Sequence, residues 1–151
     1  MLDKLQSLFK SKSSSEPQEP ETPALHIAVA AVLVDAARID ERYDEKERMI
    51  IDRALSATFS LSTDDAQALR AKGEAAQASS LDIHRFTRVI KTMTVEERIA
   101  FAERLWEIIL SDGERDPHED ALMRRLCGLI YIDDKDSGAA RARAAERLRD
   151  N

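Results

Sequence analysis

Residues 101–122 read FAERLWEIILSDGERDPHEDAL, and residues 29–50 read VAAVLVDAARIDERYDEKERMI. Laid over one another at an offset of 72 they match without a gap. Val29 meets Phe101, Leu33 meets Leu105, Asp35 meets Glu107 and Ala36 meets Ile108. Asp40 then meets Asp112, Asp44 meets Asp116, Glu47 meets Glu119, Ile50 meets Leu122 and Arg53 meets Arg125. Apolar periodicity alone would not require acids at four matched places, so the stretch is an internal repeat. Its unit is an apolar helix, an acidic turn and an amphipathic helix. The expected fold is therefore all-α, a compact bundle of about seven helices built from two pseudo-symmetric helical hairpins, with a short N-terminal helix in front.

Composition agrees. The chain has 151 residues, 4 Gly, 4 Pro and 5% aromatics, a balance that suits helices and disfavours sandwiches or barrels. Outward from the repeat, Pro23 opens a helix to about Ile39, apolar nearly all round and so central. A second begins at Asp44, Ser62 caps a third, and a fourth covers roughly residues 81–92. Thr94 and Glu97 form a capping box for a fifth. The sixth starts at Asp116-Pro117, and an Arg-rich seventh takes the end. Residues 24–151 thus form one helical domain.

Ahead of it, residues 1–10 place Leu2, Leu5, Leu8 and Phe9 on one helical stripe. Residues 11–23, SKSSSEPQEPETP, cannot bury enough apolar surface to fold and read as a disordered linker. No secretory signal is expected, since no long apolar run or cleavage site follows the stripe. The short helix offers weak docking to a membrane or a partner, because Lys4, Lys10 and Lys12 supply only modest attraction to anionic lipid. One cysteine, Cys127, rules out an internal disulfide and fits a reducing compartment. The net charge of -6 weighs against nucleic acid. Basic stripes at Arg85, Arg88 and Lys91 and at Arg141, Arg143, Arg147 and Arg149 lack interleaved aromatics, so they read as solvated or partner faces.

Each acidic turn has two readings. Asp44 with Glu47, and Asp116 with Glu119, are an N-cap and an N3 acid, which needs no ligand. Asp40 and Asp112 sit instead at helix C-termini, where the dipole disfavours an anion. In the second turn Glu107, Asp112, Glu114, Asp116, Glu119 and Asp120 outnumber the single base Arg115, around a glycine that permits a tight bend. Hard oxygen ligands so crowded suit Ca²⁺ or Mg²⁺. The candidate metal ligands are accordingly Asp112, Glu114, Asp116 and Glu119, with Asp40, Asp44 and Glu47 in the first turn. The competing reading is helix capping with neutralisation by Arg38, Arg42 or Arg115. Asp35 and Glu107 each lie inside an apolar helix, and Arg53 and Arg125 are their expected partners across each hairpin.

No catalytic residue is expected. His26, His84 and His118 have no zinc-ligand spacing, Cys127 reads as a small core thiol, and phosphate loops and nucleophile elbows are absent. A metal-dependent enzyme is the remote alternative.

An apolar helix running into Asp112-Gly113-Glu114-Arg115-Asp116-Pro117-His118-Glu119 and an amphipathic helix resembles the TerB family of tellurite-resistance proteins. Leu105 to Leu126 carry the best match, and Asp82 to Ile90 between the copies also resembles the family. The first copy has Glu41 where the pattern has glycine. The resemblance spans about residues 24–140. It implies an all-helical, cytoplasmic protein without enzymatic activity, acting in tellurite resistance or stress response. It also implies protein partners in a membrane-associated complex, with the molecule peripheral at the inner face of the membrane. The same module resembles the N-terminal region of a membrane-anchored J-domain co-chaperone.

Overall fold

A computed structural model describes residues 22–40, 43–80, 82–111 and 117–150. Among them are seven α-helices and no strand. The expected helix over residues 1–10 and nearly all of the linker lie outside the described residues.

Helix α1, Ala24–Ala37, follows Pro23 and has no acid in its first turn and no base in its last. Nine of its residues, from Ala28 to Ala37, are buried, on every side of the helix. A 3-10 turn, Arg38–Asp40, leads into the first acidic turn. Helix α2, Glu45–Phe59, is capped by Asp44, whose side chain accepts from Glu47 N–H at 3.0 Å. Helix α3, Thr63–Ser79, is capped by Ser62, which accepts from Asp65 N–H at 3.1 Å. Helix α4 is shorter than its apolar spacing suggests, His84–Ile90, because the Asp82 carboxylate turns the chain by accepting from His84 N–H. Helix α5, Val95–Leu110, has the expected capping box. Thr94, whose N–H donates to the Glu97 carboxylate at 2.8 Å, holds that carboxyl below its ordinary pKa. Helices α6, Pro117–Leu129, and α7, Asp134–Arg149, complete the chain.

Helix α1 runs through the middle and packs on α2, α3, α4 and α5. Its tightest neighbour is α3. A Cβ built on Gly73 of α3 would lie 2.5 Å from Ala30 Cβ and 2.8 Å from the Ala30 carbonyl carbon. Only glycine lets the two backbones approach so closely. Helix α5, which matches α1 in the repeat, makes its most extensive contact with α7 in the same way.

The repeat therefore extends past the hairpin to a third helix, making two three-helix units, α1–α3 and α5–α7. Burial follows it. Glu47 and Glu119, Ile51 and Met123, Ala54 and Leu126, and Leu55 and Cys127 are all buried in matched pairs. The offset then falls from 72 to 71 at the ends of α2 and α6. Ser60 (φ 55°) and Tyr131 (φ 60°) are the two non-glycine residues with positive φ among the described residues. The next residue of each donates back to a matched carbonyl, Leu61 N–H to Ser56 and Ile132 N–H to Cys127. Both second helices thus end in the same left-handed turn, a conformation costing L-residues about 1–2 kcal/mol. Tyr131 meets that cost while 73% exposed, with Lys91 Nζ 5.0 Å from its ring centroid.

Gly73→Ala should lower stability by about 1–3 kcal/mol through overpacking against Ala30. Gly128→Ala, in open space on α6, should raise it by up to about 1 kcal/mol. Urea denaturation of both variants measures the difference.

Candidate functional site

Described residues that flank the two acidic turns meet across the units. Lys46, in the first turn of α2, donates from Nζ to the carbonyl of Ser111 at 3.1 Å, and Ser111 immediately precedes Asp112. In the matched positions, His118 on α6 and Ile39 after α1 line one groove of about 450 Å³. Residue 46 corresponds to 118 and residue 39 to 111; the hydrogen bond is made in the first of these pairs, whereas the second shares only the wall of a groove. Glu47 and Glu119 stand at the third position of α2 and α6 and are 7% and 4% exposed. A buried acid there lies at the positive end of the helix dipole, which favours its charge. Asp44 is exposed and engaged in its cap.

Asp112, Glu114 and Asp116, and the side chain of Asp40, lie outside the described residues. Among the described residues, no three of His, Cys, Asp and Glu come close enough to hold a metal ion. A cation centre at the elbows would need donors from residues 112–116 beside Glu119, or from Asp40 beside Asp44 and Glu47.

The first elbow is tied down by a residue that sequence reasoning passed over. Tyr43 lies between two guanidinium groups, with Arg38 at 4.9 Å and Arg48 at 4.7 Å from its ring centroid. Burial, and then Glu74, push its phenol well above the ordinary pKa. Around it, Arg70 donates from Nε to Asp52 at 2.7 Å and from Nη1 to Glu74 at 3.3 Å. Arg48 is 3.8 Å from Glu74. This network fastens the start of α2 to α3. The lone aromatic within a run of charges was the signal that could have found it.

Asp35 and Glu107 need a correction. Their partners come from the third helix of each unit, and Arg53 and Arg125 are exposed. Gln77 donates to Asp35 at 3.2 Å and accepts from Arg38. Glu107, 6% exposed, accepts from Arg147 and from Arg104 at 3.2 Å. Glu103, a turn earlier on α5, accepts from Arg143 at 2.9 Å and from Arg147. Two arginines of the basic C-terminal stripe, Arg143 and Arg147, thus clasp α7 to α5. A repeat shows which residues are equivalent and not which ones touch, and the intimate seams here are α1–α3 and α5–α7.

Cys127 and His26 are occupied by packing. Cys127 is 4% exposed, its Sγ 3.5 Å from Ser137 Oγ, and burial pushes its thiol pKa up. His26 stacks on Phe59 with ring centroids 3.8 Å apart, and burial lowers its pKa. In the matched place Arg98 donates to the carbonyl of Ile130 at 2.7 Å. His84 and His118 are exposed.

Residues 26–142 match the family model described as tellurite resistance protein TerB. The chain belongs to the TerB family. The match runs from the first turn of α1 to the middle of α7 and so covers both elbows and most of both three-helix units of this TerB domain. No curated relative and no solved structure matches the chain. No helix among the described residues is long and apolar enough to cross a membrane.

Folded protein should alkylate at Cys127 at least tenfold more slowly than the urea-unfolded chain at pH 8, because the thiol is both buried and held protonated. Iodoacetamide labelling followed by mass measurement reads this directly. Arg147→Ala should destabilise by about 1–3 kcal/mol, since it strips donors from two buried carboxylates. Arg53→Ala should stay within about 0.5 kcal/mol of the parent protein.

Proposed function

We propose that this TerB-family protein is a non-catalytic stress-response module of the tellurite-resistance type, whose paired elbows take up a divalent cation and recruit other proteins. The observation that carries this reading is the burial of Glu47 and Glu119 at matched positions, each just after an acid-rich stretch of the sequence. Acids held in place under a cluster of further acids gain from an added cation, because oxygen-preferring Ca²⁺ or Mg²⁺ offsets their mutual repulsion. The ligands in this reading are Asp112, Glu114, Asp116 and Glu119, with Asp40, Asp44 and Glu47 in the other elbow. Partners are proteins of a membrane-associated complex, and the molecule works in the cytoplasm, peripheral at the inner face of the membrane. Residues 1–10 provide a weak contact to that membrane or to a partner, and nucleic acid has no part in it.

One observation favours a second reading, a purely structural interaction module without metal: the Asp44 carboxylate already serves as a helix cap. Calorimetric titration of Ca²⁺, Mg²⁺ and Zn²⁺ separates the two. The parent protein should give saturable heat with Ca²⁺ or Mg²⁺, and the double variant Asp112→Ala, Asp116→Ala should lose it. Equal heats from both proteins, or none from either, would leave the elbows as structural caps.

A further inference from the structure

The internal repeat makes one arginine conspicuous in the second unit. Arg70 of α3 and Arg141 of α7 hold the same place in their units, 71 residues apart. Arg70 is saturated by the carboxylates of Asp52 and Glu74. The positions matching those acids in the second unit are Arg124 and Ala145, so Arg141 has lost both partners. Its guanidinium lies 5.3 Å from the ring centroid of Trp106, and its Nε is buried with no acceptor. A guanidinium held without the carboxylates that saturate its counterpart keeps the capacity to take one.

Arg141 lines a cavity of about 230 Å³ together with Trp106, Asp120, Arg124, Asp134 and Ser137. The indole N–H is already given to Ser137 Oγ at 3.2 Å, so the ring is fixed as the platform beneath Arg141. Two arginines and two aspartates give the lining no net charge, which disfavours a multiply charged anion. The volume is below the ~300–1,000 Å³ typical of sites for drug-sized ligands, so the occupant is small.

We infer that this cavity between α5, α6 and α7 binds a small zwitterionic amino acid. Its carboxylate takes on Arg141 the place that Asp52 and Glu74 take on Arg70. Its ammonium group lies toward Asp134. The inference does not rest on cation binding at the elbows.

Trp106 is the single tryptophan of the chain, so its fluorescence reports occupancy. The standard L-amino acids other than tryptophan are titrated singly at millimolar concentration, with acetate and methylammonium as half-ligand controls. At least one amino acid should change the emission saturably, and each half-ligand should bind at least tenfold more weakly. Arg141→Gln should weaken binding at least tenfold. Ala145→Glu recreates the internal acid that Glu74 provides four residues after Arg70, and it should abolish binding while keeping or raising the melting temperature. Circular dichroism establishes that each variant is folded. The inference is overturned if no amino acid gives a saturable change, if acetate alone binds as well, or if folded Ala145→Glu binds like the parent protein.

Discussion

Backbone contact between α1 and α3 at Gly73 and Ala30 governs the arrangement of everything else. A helix apolar on all sides can be satisfied only by being surrounded, and α1 is enclosed by α2, α3, α4 and α5. At the Gly73 crossing the α1 neighbour is small, and glycine on α3 brings that helix in until backbone meets side chain. Once α3 is seated there, the short loop at Ser60 to Ser62 fixes where α2 must end. The left-handed residue at that loop recurs at Tyr131, where it places α7 on α5 in the same way.

The two units share this frame and differ in what they build on it. In the first, α3 is held by Gln77 on Asp35 and by Arg70 on Asp52 and Glu74. In the second, α7 is held by Arg143 and Arg147 on Glu103 and Glu107. Burial of the alanines Ala140 and Ala144 leaves α7 little large apolar surface to contribute, so the charged clasp carries more of the attachment. Charge-assisted hydrogen bonds to carboxylates that are themselves buried are strong enough for that task. The duplicated frame thereby frees matched positions to diverge, and Arg70 and Arg141 are a case where one copy is internally satisfied and the other is not.

At the elbows the same economy of space brings opposite units together. Lys46 neutralises the carbonyl end of α5 while standing beside the buried Glu47. Helix dipoles favour the two third-position glutamates and disfavour acids at the preceding helix ends.

Much of the fold was legible in residues alone. Capping residues Asp44, Ser62 and Thr94 mark helix starts because their side chains answer a local need for acceptors within three residues. The apolar character of α1 foretells its central place, and the offset of 72 foretells two matched units, since both are patterns along the chain. The candidate elbows were legible as crowded acids, although three of their ligands and the Asp40 side chain lie outside the described residues. What the chain order could not show is which equivalent surfaces touch. Asp35 and Glu107 were matched to the wrong helix because a partner for a buried charge is chosen by proximity across space, and proximity here was decided by the close seams α1–α3 and α5–α7. Tyr43 between its two arginines, and the unsatisfied Arg141 beside Trp106, likewise became visible only when helices distant in sequence were packed together.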